Sequence, residues 1–529
     1  YMKDAATKSY LKKGQDIVDM NHKAIDIGAT AFKKIEVPAD WADAQDEVDT
    51  RDLQGRPEVV KMVKDVMEPI GRMDGDSLPV SAFAGEHVDG SFEHGAAAYE
   101  KRGVAVTVPQ WNEATCVQCN QCAYVCPHAT IRPFALTEEE AAAAPASTKL
   151  VDIKAGKGKG VYKYTMAVSP LDCMGCGVCI GVCPTKSLKM VPQAEEAAQQ
   201  DAFDYCVAKV SEKADMISTN SVKDSQFKKP LLEFSGSCAG CAETSYARLI
   251  TQVCGDRMYI SNATGCSSIW GGPAATSPYT VDANGHGPAW ANSLFEDNAE
   301  HGLGMYYGQE ALRERLISKL EVMAGSENAT DSFKNAVNSF MDTKDNGAAN
   351  AEPAKALVAE LEKGAAAGCP DCKDVLAHKE YLAKKSVWIF GGDGWAYDIG
   401  FGGLDHVLAS GKDVNVMVFD TEVYSNTGGQ ASKATNIGAV AQFAASGKTT
   451  KKKSLAEIAM SYGYVYVAQV AMGANPAQTL KAIAEAEAYP GPSLVIGYAP
   501  CEMHSIKGGM TNCQAEMKKA VDCGYWNLF

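Results

Sequence analysis

Long apolar runs are missing from this sequence of 529 residues. No uncharged stretch approaches the roughly 18 apolar residues that a membrane-spanning helix needs, so we expect no membrane span. The first residues, Tyr1-Met2-Lys3-Asp4, lack the apolar segment of a signal peptide. The last five, Tyr525-Trp526-Asn527-Leu528-Phe529, end on apolar side chains. We therefore expect both ends to be cuts in a longer chain.

An excess of positive charge is also absent. The chain has 50 basic and 65 acidic residues, and its formal net charge of −15 argues against nucleic acid as a main partner. Its 18 cysteines are too sparse for a secreted disulfide scaffold. Most of them fall in CxxC clusters, a spacing that indicates metal ligation in a reducing compartment.

The clearest internal repeat is the run C-x2-C-x2-C-x3-C-P, which occurs twice. The first copy consists of Cys116, Cys119, Cys122 and Cys126, and the second of Cys173, Cys176, Cys179 and Cys183. In bacterial ferredoxins the first three cysteines of such a run bind one [4Fe–4S] cluster and the fourth binds the other. The spacing therefore assigns Cys183 to the first three-cysteine set and Cys126 to the second. A pair of structural zinc sites fits less well, because zinc is usually held by two separated CxxC pairs.

A lone CxxC pair, Cys238 and Cys241, is a weaker signal. Spacing alone leaves a zinc site, a redox dithiol, a third cluster or no function open. Cys266 and Cys501 are candidates to complete four ligands, because both lie beside Gly or Pro in turn-like contexts.

The second half of the chain alternates predicted strands (387–390, 414–419, 464–470 and 494–496) with predicted helices. This order is typical of a parallel, doubly wound α/β sheet. Residues 325–384 are predicted to form a helical excursion from it, and residues 1–38 to contain one amphipathic helix that ends before Pro38.

Two loops that follow predicted strands carry the chemistry of a magnesium–diphosphate site. Mg²⁺ prefers oxygen ligands and binds through a few protein oxygens plus phosphates. Asp393 of the Gly392-Asp393-Gly394 turn offers a carboxylate, Thr421 a hydroxyl and Val423 a backbone carbonyl. The glycines let phosphate reach backbone N–H groups at a helix N-terminus. A Gly-Asp-Gly turn followed by an Asn-containing glycine-rich loop is the thiamine diphosphate motif.

Six segments together resemble the single-chain pyruvate:ferredoxin oxidoreductase family. They are Cys238–Thr244, Thr264–Trp270, Gly287–Asn298, Gly392–Trp395, Asp420–Gln430 and Tyr498–Cys501. The resemblance covers nearly the whole chain. It implies the C-terminal half of such an enzyme, with a thiamine diphosphate-binding sheet domain and an inserted α+β ferredoxin-like domain.

The resemblance also implies site residues. Cys238, Cys241, Cys266 and Cys501 would bind a third [4Fe–4S] cluster close to thiamine diphosphate. The expected cofactor contacts are Glu243, Cys266, Ser267, Ser268, Gly392, Asp393, Gly394, Trp395, Asn426 and Thr427. Asn426 and Glu243 are the expected catalytic residues, and Asp393, Thr421 and Val423 the expected Mg²⁺ ligands.

The family's reaction is the oxidative decarboxylation of pyruvate to acetyl-CoA and CO₂, with electrons passed to ferredoxin or flavodoxin. Family members carry a further N-terminal half, which we expect on the same or a separate chain. Alternatives are another 2-oxoacid substrate, or an electron-transfer subunit that is inactive alone. A homodimer is expected, in the cytoplasm of an anaerobe or the matrix of an anaerobic organelle.

The predicted organisation has five parts. They are the tail of an upstream domain (1–57), a small linking domain (58–110), the ferredoxin-like domain (111–192), a linker (193–230) and the thiamine diphosphate domain (231–529).

Three weaker signals remain. Cys369 and Cys372 form a CxxC pair with no partner cysteine and only His378 nearby, which leaves a redox pair or a metal site open beside a purely structural role. His504 could hydrogen-bond at the third cluster or be an ordinary loop histidine. The lysines at 448 and 451–453 are expected to form a solvated face, with attraction of an acidic partner as the alternative.

Overall fold

The computed structural model describes residues 1–44, 52–154, 156–273 and 276–529. They divide into two compact units, residues 1–54 and 55–529. The strands are β1 Thr107–Trp111, β2 Ile131–Leu136, β3 Val151–Asp152, β4 Lys163–Val168, β5 Leu188–Pro192, β6 Met258–Ala263, β7 Ala289–Ser293, β8 Ser386–Gly392, β9 Asn415–Asp420, β10 Val423–Tyr424, β11 Gln430–Ala431, β12 Tyr466–Val470 and β13 Ser493–Tyr498.

The helices are α1 Met2–Tyr10, α2 Gln15–Gly28, α3 Pro57–Met62, α4 Glu68–Gly71, α5 Gln121–Val125, α6 Glu138–Ala142, α7 Val178–Gly181, α8 Gln199–Lys209, α9 Val222–Ser225, α10 Ala242–Cys254, α11 Cys266–Gly271, α12 Asn298–Ala324, α13 Asp331–Thr343, α14 Gly347–Ala366, α15 Pro370–Leu376, α16 Phe401–Ala409, α17 Leu455–Met460, α18 Pro476–Ala488 and α19 Cys513–Asp522. No helix among the described residues is long and apolar enough to cross a membrane.

The first unit contains a pair of helices where the sequence predicts one. Helix α1 ends at Tyr10 and α2 begins at Gln15. Between them Gly14 has a φ of +116°, which L side chains rarely adopt, so the helix is broken there. The two helices are joined by His22, whose Nε2 lies 2.9 Å from Thr7 Oγ1.

A six-stranded parallel sheet organises the larger unit. Its order is β12-β13-β9-β8-β6-β7, and every neighbouring pair is parallel. Helices α12, α17 and α18 pack against its strands. The predicted doubly wound α/β class is confirmed, and β8, β9, β12 and β13 lie at the predicted strands. The structure adds β6 and β7 at one edge, which no hydrophobic run indicated.

Large aromatic side chains of the central strands lie in the core around the sheet. The rings of Trp388, Phe390 and Phe419 stack edge-to-face, with centroids 6.2 and 5.4 Å apart along the series. All three are fully buried. Strands whose apolar side chains are buried on both faces of the sheet are typical of parallel sheets.

The helical excursion forms a satellite with its own core. Leu316 and Leu320 of α12 pack there with Phe340 of α13, Leu357 of α14 and Val375 of α15. It therefore begins within α12, before the predicted residue 325.

The ferredoxin-like part contains two small antiparallel sheets, β1-β5 and β2-β4-β3. It shares the main hydrophobic core, because Tyr124, Val125 and Val178 pack into the cluster that surrounds the large sheet. The Tyr124 hydroxyl donates to the Pro476 carbonyl at 3.0 Å, at the start of α18. Arg248 of α10 donates to the Tyr124 carbonyl. This part is therefore fixed to the sheet domain by buried side chains.

Candidate functional site

The three predicted magnesium ligands lie together at the carboxyl edge of the sheet. Thr421 Oγ1 lies 2.9 Å from Asp393 Oδ1 and 3.0 Å from the carbonyl oxygen of Val423. The sheet explains this arrangement. Strands β8 and β9 are parallel neighbours, with Gly392 paired to Phe419, so the loops that follow them meet. Glu422 then has a φ of +60°, which turns the chain sharply between Thr421 and Val423.

Asp393 is almost completely buried, at 1% exposure. Ser432 Oγ donates to its Oδ2 at 2.5 Å. Burial raises the pKa of Asp393 well above its usual range, and the charge of Asp420 adds to the rise. A buried carboxylate of this kind needs a cation or hydrogen bonds, and the hydroxyls of Thr421 and Ser432 supply hydrogen bonds. Ser432 was not predicted, because it lies outside both loop motifs.

A cavity of about 210 Å³ adjoins these ligands. Of the predicted cofactor contacts, all but Ser268 line it: Glu243, Cys266, Ser267, Gly392, Asp393, Gly394, Trp395, Asn426 and Thr427. Ser268 is used locally in α11, where its Oγ accepts from the Gly265 backbone N at 2.9 Å. Phe295 and Tyr424 also line the cavity, with ring centroids 6.0 Å apart, and sequence reasoning gave neither a role.

A second cavity, of about 150 Å³, is lined by all four predicted ligands of the third cluster, Cys238, Cys241, Cys266 and Cys501. Burial raises the pKa of Cys266, and the charges of Glu243 and of the other three thiols raise it further. Four thiols around one cavity form a donor set that suits an iron–sulfur cluster.

The two cavities share part of their walls. Glu243, Cys266, Thr421 and Asn426 line both. Glu243 is buried, and burial raises its pKa to about 7 although Trp270 Nε1, which donates to its Oε2 at 2.9 Å, lowers it. Asn426 is exposed. The shared wall thus joins the oxygen-rich pocket to the thiol-lined one.

The cysteines of the repeat fall into two groups. Burial raises the pKa of Cys122 well above its usual range, and the neighbouring Cys119, Cys116 and Cys183 thiols raise it further. In the same way burial and then Cys126 raise the pKa of Cys176 to about 12. These electrostatic interactions link Cys183 to the first set and Cys126 to the second, as the crossed assignment predicts.

The second repeat also touches the loop of the third cysteine group. Gly240 has a φ of +84°, and a Cβ added there would lie 2.9 Å from Met510 Cβ and 3.3 Å from Val178 Cγ2. Only glycine therefore allows this close approach. Among the described residues no three His, Cys, Asp or Glu side chains lie close enough to hold one metal ion.

Three family profiles match the chain. Residues 115–187 match a 4Fe-4S dicluster domain, and residues 365–496 match the C-terminal TPP binding domain of thiamine pyrophosphate enzymes. Residues 48–105 match EKR, a domain of unknown function. The ferredoxin-like part thus matches an iron–sulfur domain model, and the sheet domain matches a domain model of thiamine pyrophosphate enzymes.

Relatives that align with the whole of this chain carry names consistent with these domain matches. The chain is 51% identical to pyruvate-flavodoxin oxidoreductase of Klebsiella pneumoniae, over 100% of this chain and 44% of that protein. The resemblance to this family is confirmed. Pyruvate:ferredoxin oxidoreductase of Moorella thermoacetica is also 51% identical, over 100% of this chain and 45% of its own length. The chain therefore spans less than half the length of these relatives.

More distant relatives extend the group. Mitochondrial pyruvate dehydrogenase [NADP(+)] of Euglena gracilis is 44% identical over 100% of this chain and 29% of its own length. A solved 2-oxoglutarate:ferredoxin oxidoreductase from Magnetococcus marinus is 15% identical, with a TM-score of 0.30 over 51% of this chain and 65% of that one. That likeness is too weak to bear on function.

Proposed function

We propose that this chain is the cofactor-holding and electron-transfer portion of a pyruvate:ferredoxin or pyruvate:flavodoxin oxidoreductase. The observation that carries the proposal is the wall shared by the two cavities. Glu243, Cys266, Thr421 and Asn426 border both the oxygen-rich pocket and the pocket lined by four thiols. Such an arrangement suits an oxidation whose electrons pass from an organic cofactor to a cluster.

In this proposal Asp393, Thr421 and Val423 hold Mg²⁺ against a diphosphate. Thiamine diphosphate, when bound, supplies the electron sink that decarboxylation of a 2-oxoacid needs. Asn426 lies at the exposed edge of the pocket, where its amide can donate to a substrate carboxylate. Glu243 lies at the buried end, where Trp270 fixes its carboxylate.

The three cysteine groups would hold three [4Fe–4S] clusters, which each carry one electron at a time. Gly240, in the loop of the third group, packs closely against Met510 and against Val178 of the second repeat. Pyruvate and coenzyme A would be converted to acetyl-CoA and CO₂, with ferredoxin or flavodoxin as the acceptor. We place the protein in the cytoplasm of an anaerobe or the matrix of an anaerobic organelle, as a homodimer.

A second candidate is an electron-transfer portion that needs a further polypeptide for catalysis. The coverage of the relatives favours it, because the chain matches only 44–45% of their length. The missing half would then come from the same longer chain or from a separate one.

The test is an anaerobic iron count and an EPR spectrum before and after pyruvate with coenzyme A. We expect about twelve irons per chain, and about eight in Cys266→Ser. Cys254→Ser is the matched control, because Cys254 is a buried cysteine of α10 whose thiol donates to the Ile250 carbonyl. Twelve irons in Cys266→Ser would contradict the third cluster. About twelve irons in the unmodified chain, with an EPR spectrum that does not change on addition of pyruvate and coenzyme A, would favour the second candidate.

A further inference from the structure

Two cysteines outside the proposed site lie at the junction of α14 and α15 in the helical excursion. Cys369 is the residue before α15, and Cys372 lies in its first turn. Cys369 is partly exposed, whereas Cys372 is buried at 6% exposure in the core of the excursion. Nothing in the proposed electron path uses either thiol.

The two side chains converge on one glycine of α14. A Cβ added to Gly364 would lie 2.5 Å from Cys372 Sγ and 3.9 Å from Cys369 Cβ. The missing side chain of Gly364 therefore leaves the space that the Cys372 sulfur occupies. The Cys369 backbone N donates to the Gly364 carbonyl at 3.1 Å, which fixes the turn above that glycine.

The Cys369 sulfur is also held against the backbone of Cys372. The backbone N–H of Cys372 donates to Cys369 Sγ at 3.1 Å. Pro370 follows Cys369 as the first residue of the helix, and its ring restricts the backbone between the two cysteines. Burial raises the pKa of Cys372 to about 12, with the side-chain hydrogen bond to Cys369 as the next cause.

A metal site does not account for this pair. His378, the nearest histidine in sequence, places Nδ1 3.1 Å from the Asp374 carbonyl. Within the described ranges no third His, Cys, Asp or Glu side chain joins the two thiols. Zinc usually needs three or four protein ligands.

We infer that Cys369 and Cys372 form a thiol–disulfide exchange site, whose co-reactant is a low-molecular-weight disulfide such as oxidised glutathione. The Cys369 thiol loses its proton and attacks a sulfur of the co-reactant, which releases one thiol and leaves a mixed disulfide. The Cys372 thiol then loses its proton, attacks Cys369 Sγ and expels the second thiol. The chain loses two electrons and two protons, and the co-reactant gains both. This site is independent of the proposed function.

One tryptic peptide reports the redox state of both cysteines. Trypsin cuts after Lys363 and Lys373, so residues 364–373 form one peptide that contains Cys369 and Cys372 and no other cysteine. The full chain, prepared anaerobically, is equilibrated with mixtures of reduced and oxidised glutathione, quenched with acid, alkylated and mapped by mass spectrometry. As the oxidised share rises, we expect this peptide to lose two hydrogens and to escape alkylation.

Cys523 is the internal control, because it is exposed and lies in the tryptic peptide that begins at Ala520, apart from Cys369 and Cys372. We expect that peptide to gain glutathione without forming an internal disulfide. A 364–373 peptide that stays doubly alkylated, or that carries only glutathione, across the whole range would overturn the inference.

Two variants test the order of attack. In Cys372→Ser, Cys369 should accumulate the glutathione adduct, because the second thiol that resolves it is gone. In Cys369→Ser, the buried Cys372 should remain unmodified. The reverse pattern would show that Cys372 attacks first and would overturn the assigned order.

Discussion

The His504 ring joins the loop of Cys501 to the loop of Thr421. Its Nε2 lies 2.6 Å from the Thr421 carbonyl oxygen, and its Nδ1 accepts from the Cys501 backbone N at 3.4 Å. A carbonyl can only accept, so the tautomer with hydrogen on Nε2 satisfies both contacts. The ring thus links the backbone of a proposed cluster ligand to that of a proposed Mg²⁺ ligand.

Replacement of His504 should loosen the magnesium site. In His504→Phe the Thr421 carbonyl loses a donor worth about 1 kcal/mol, so we expect roughly a fivefold loss of affinity for thiamine diphosphate with Mg²⁺. Iron content should not change. Titration calorimetry of the anaerobic protein measures the affinity. His406→Phe, at an exposed position of α16, is the control. Equal affinities in the two variants would refute a role for the link.

Gly394 should not tolerate a side chain. A Cβ there would lie 2.4 Å from a ring carbon of Tyr424, so the ring would have to move. Overpacking of this kind costs about 1–3 kcal/mol. At Gly392 the nearest atom to an added Cβ is the Phe419 carbonyl oxygen at 3.9 Å. The urea midpoint of Gly394→Ala should therefore fall well below that of Gly392→Ala, and equal midpoints would show that Tyr424 is free to move.

The fourth cysteine of each run should serve the other cluster. Cys126→Ser should lose about four irons, those of the cluster held by the second repeat, because Cys126 lies beside Cys176. Cys183→Ser should lose the other ferredoxin-like cluster. EPR of the two variants at partial reduction distinguishes the remaining signals, with Cys206→Ser as a buried-cysteine control. A Cys126→Ser spectrum that matches Cys119→Ser rather than Cys176→Ser would contradict the crossed assignment.

Stability should depend on pH through His94. Burial, and then the charge of Arg56, lowers the pKa of His94 to about 4. The folded protein therefore binds this proton more weakly than the unfolded chain does, whose histidines titrate near pH 6.5. The contribution of His94 is complete above about pH 6.5 and is lost as the pH falls toward 4.

The measurement is thermal unfolding of the full chain from about pH 7, above that window, down to about pH 5, inside it. The unmodified protein should lose stability more steeply than His94→Gln as the pH falls. Parallel curves for the two proteins would show that His94 does not cause the slope.

Sequence reasoning predicted the central strands because they are buried on both faces and form continuous apolar runs. It missed β7, whose residues Ala289–Ser293 are partly exposed at the edge of the sheet and show no such run. The two loop motifs correctly predicted that Asp393 and Thr421 lie close together. Each loop follows a parallel strand, and the loops that follow parallel strands meet at one edge of the sheet.

The lysines at 448 and 451–453 show that a local charge pattern does not reveal partners that are distant in sequence. Lys451 is exposed as expected, but Lys448 and Lys453 are half-buried and donate to backbone carbonyls, and Lys452 has only 18% side-chain exposure. Its Nζ lies 2.8 Å from Asp420 Oδ2 and 3.1 Å from Glu422 Oε1. These partners come from 30 or so residues away, and only the fold brings them together. Of the four lysines predicted to form a solvated face, only Lys451 is exposed.

The hydrogen bond and burial that fix Tyr124 at the start of α18 have a consequence for the proposed electron transfer. A carrier on a flexible tether reaches its partner by swinging, and its rate depends on the length of the tether. Tyr124, Val125 and Val178 are buried in the core of the sheet domain, so the ferredoxin-like part has no such freedom. Its distance to the thiol-lined cavity is set by packing, so in the proposed electron path an external acceptor would have to travel to it and dock.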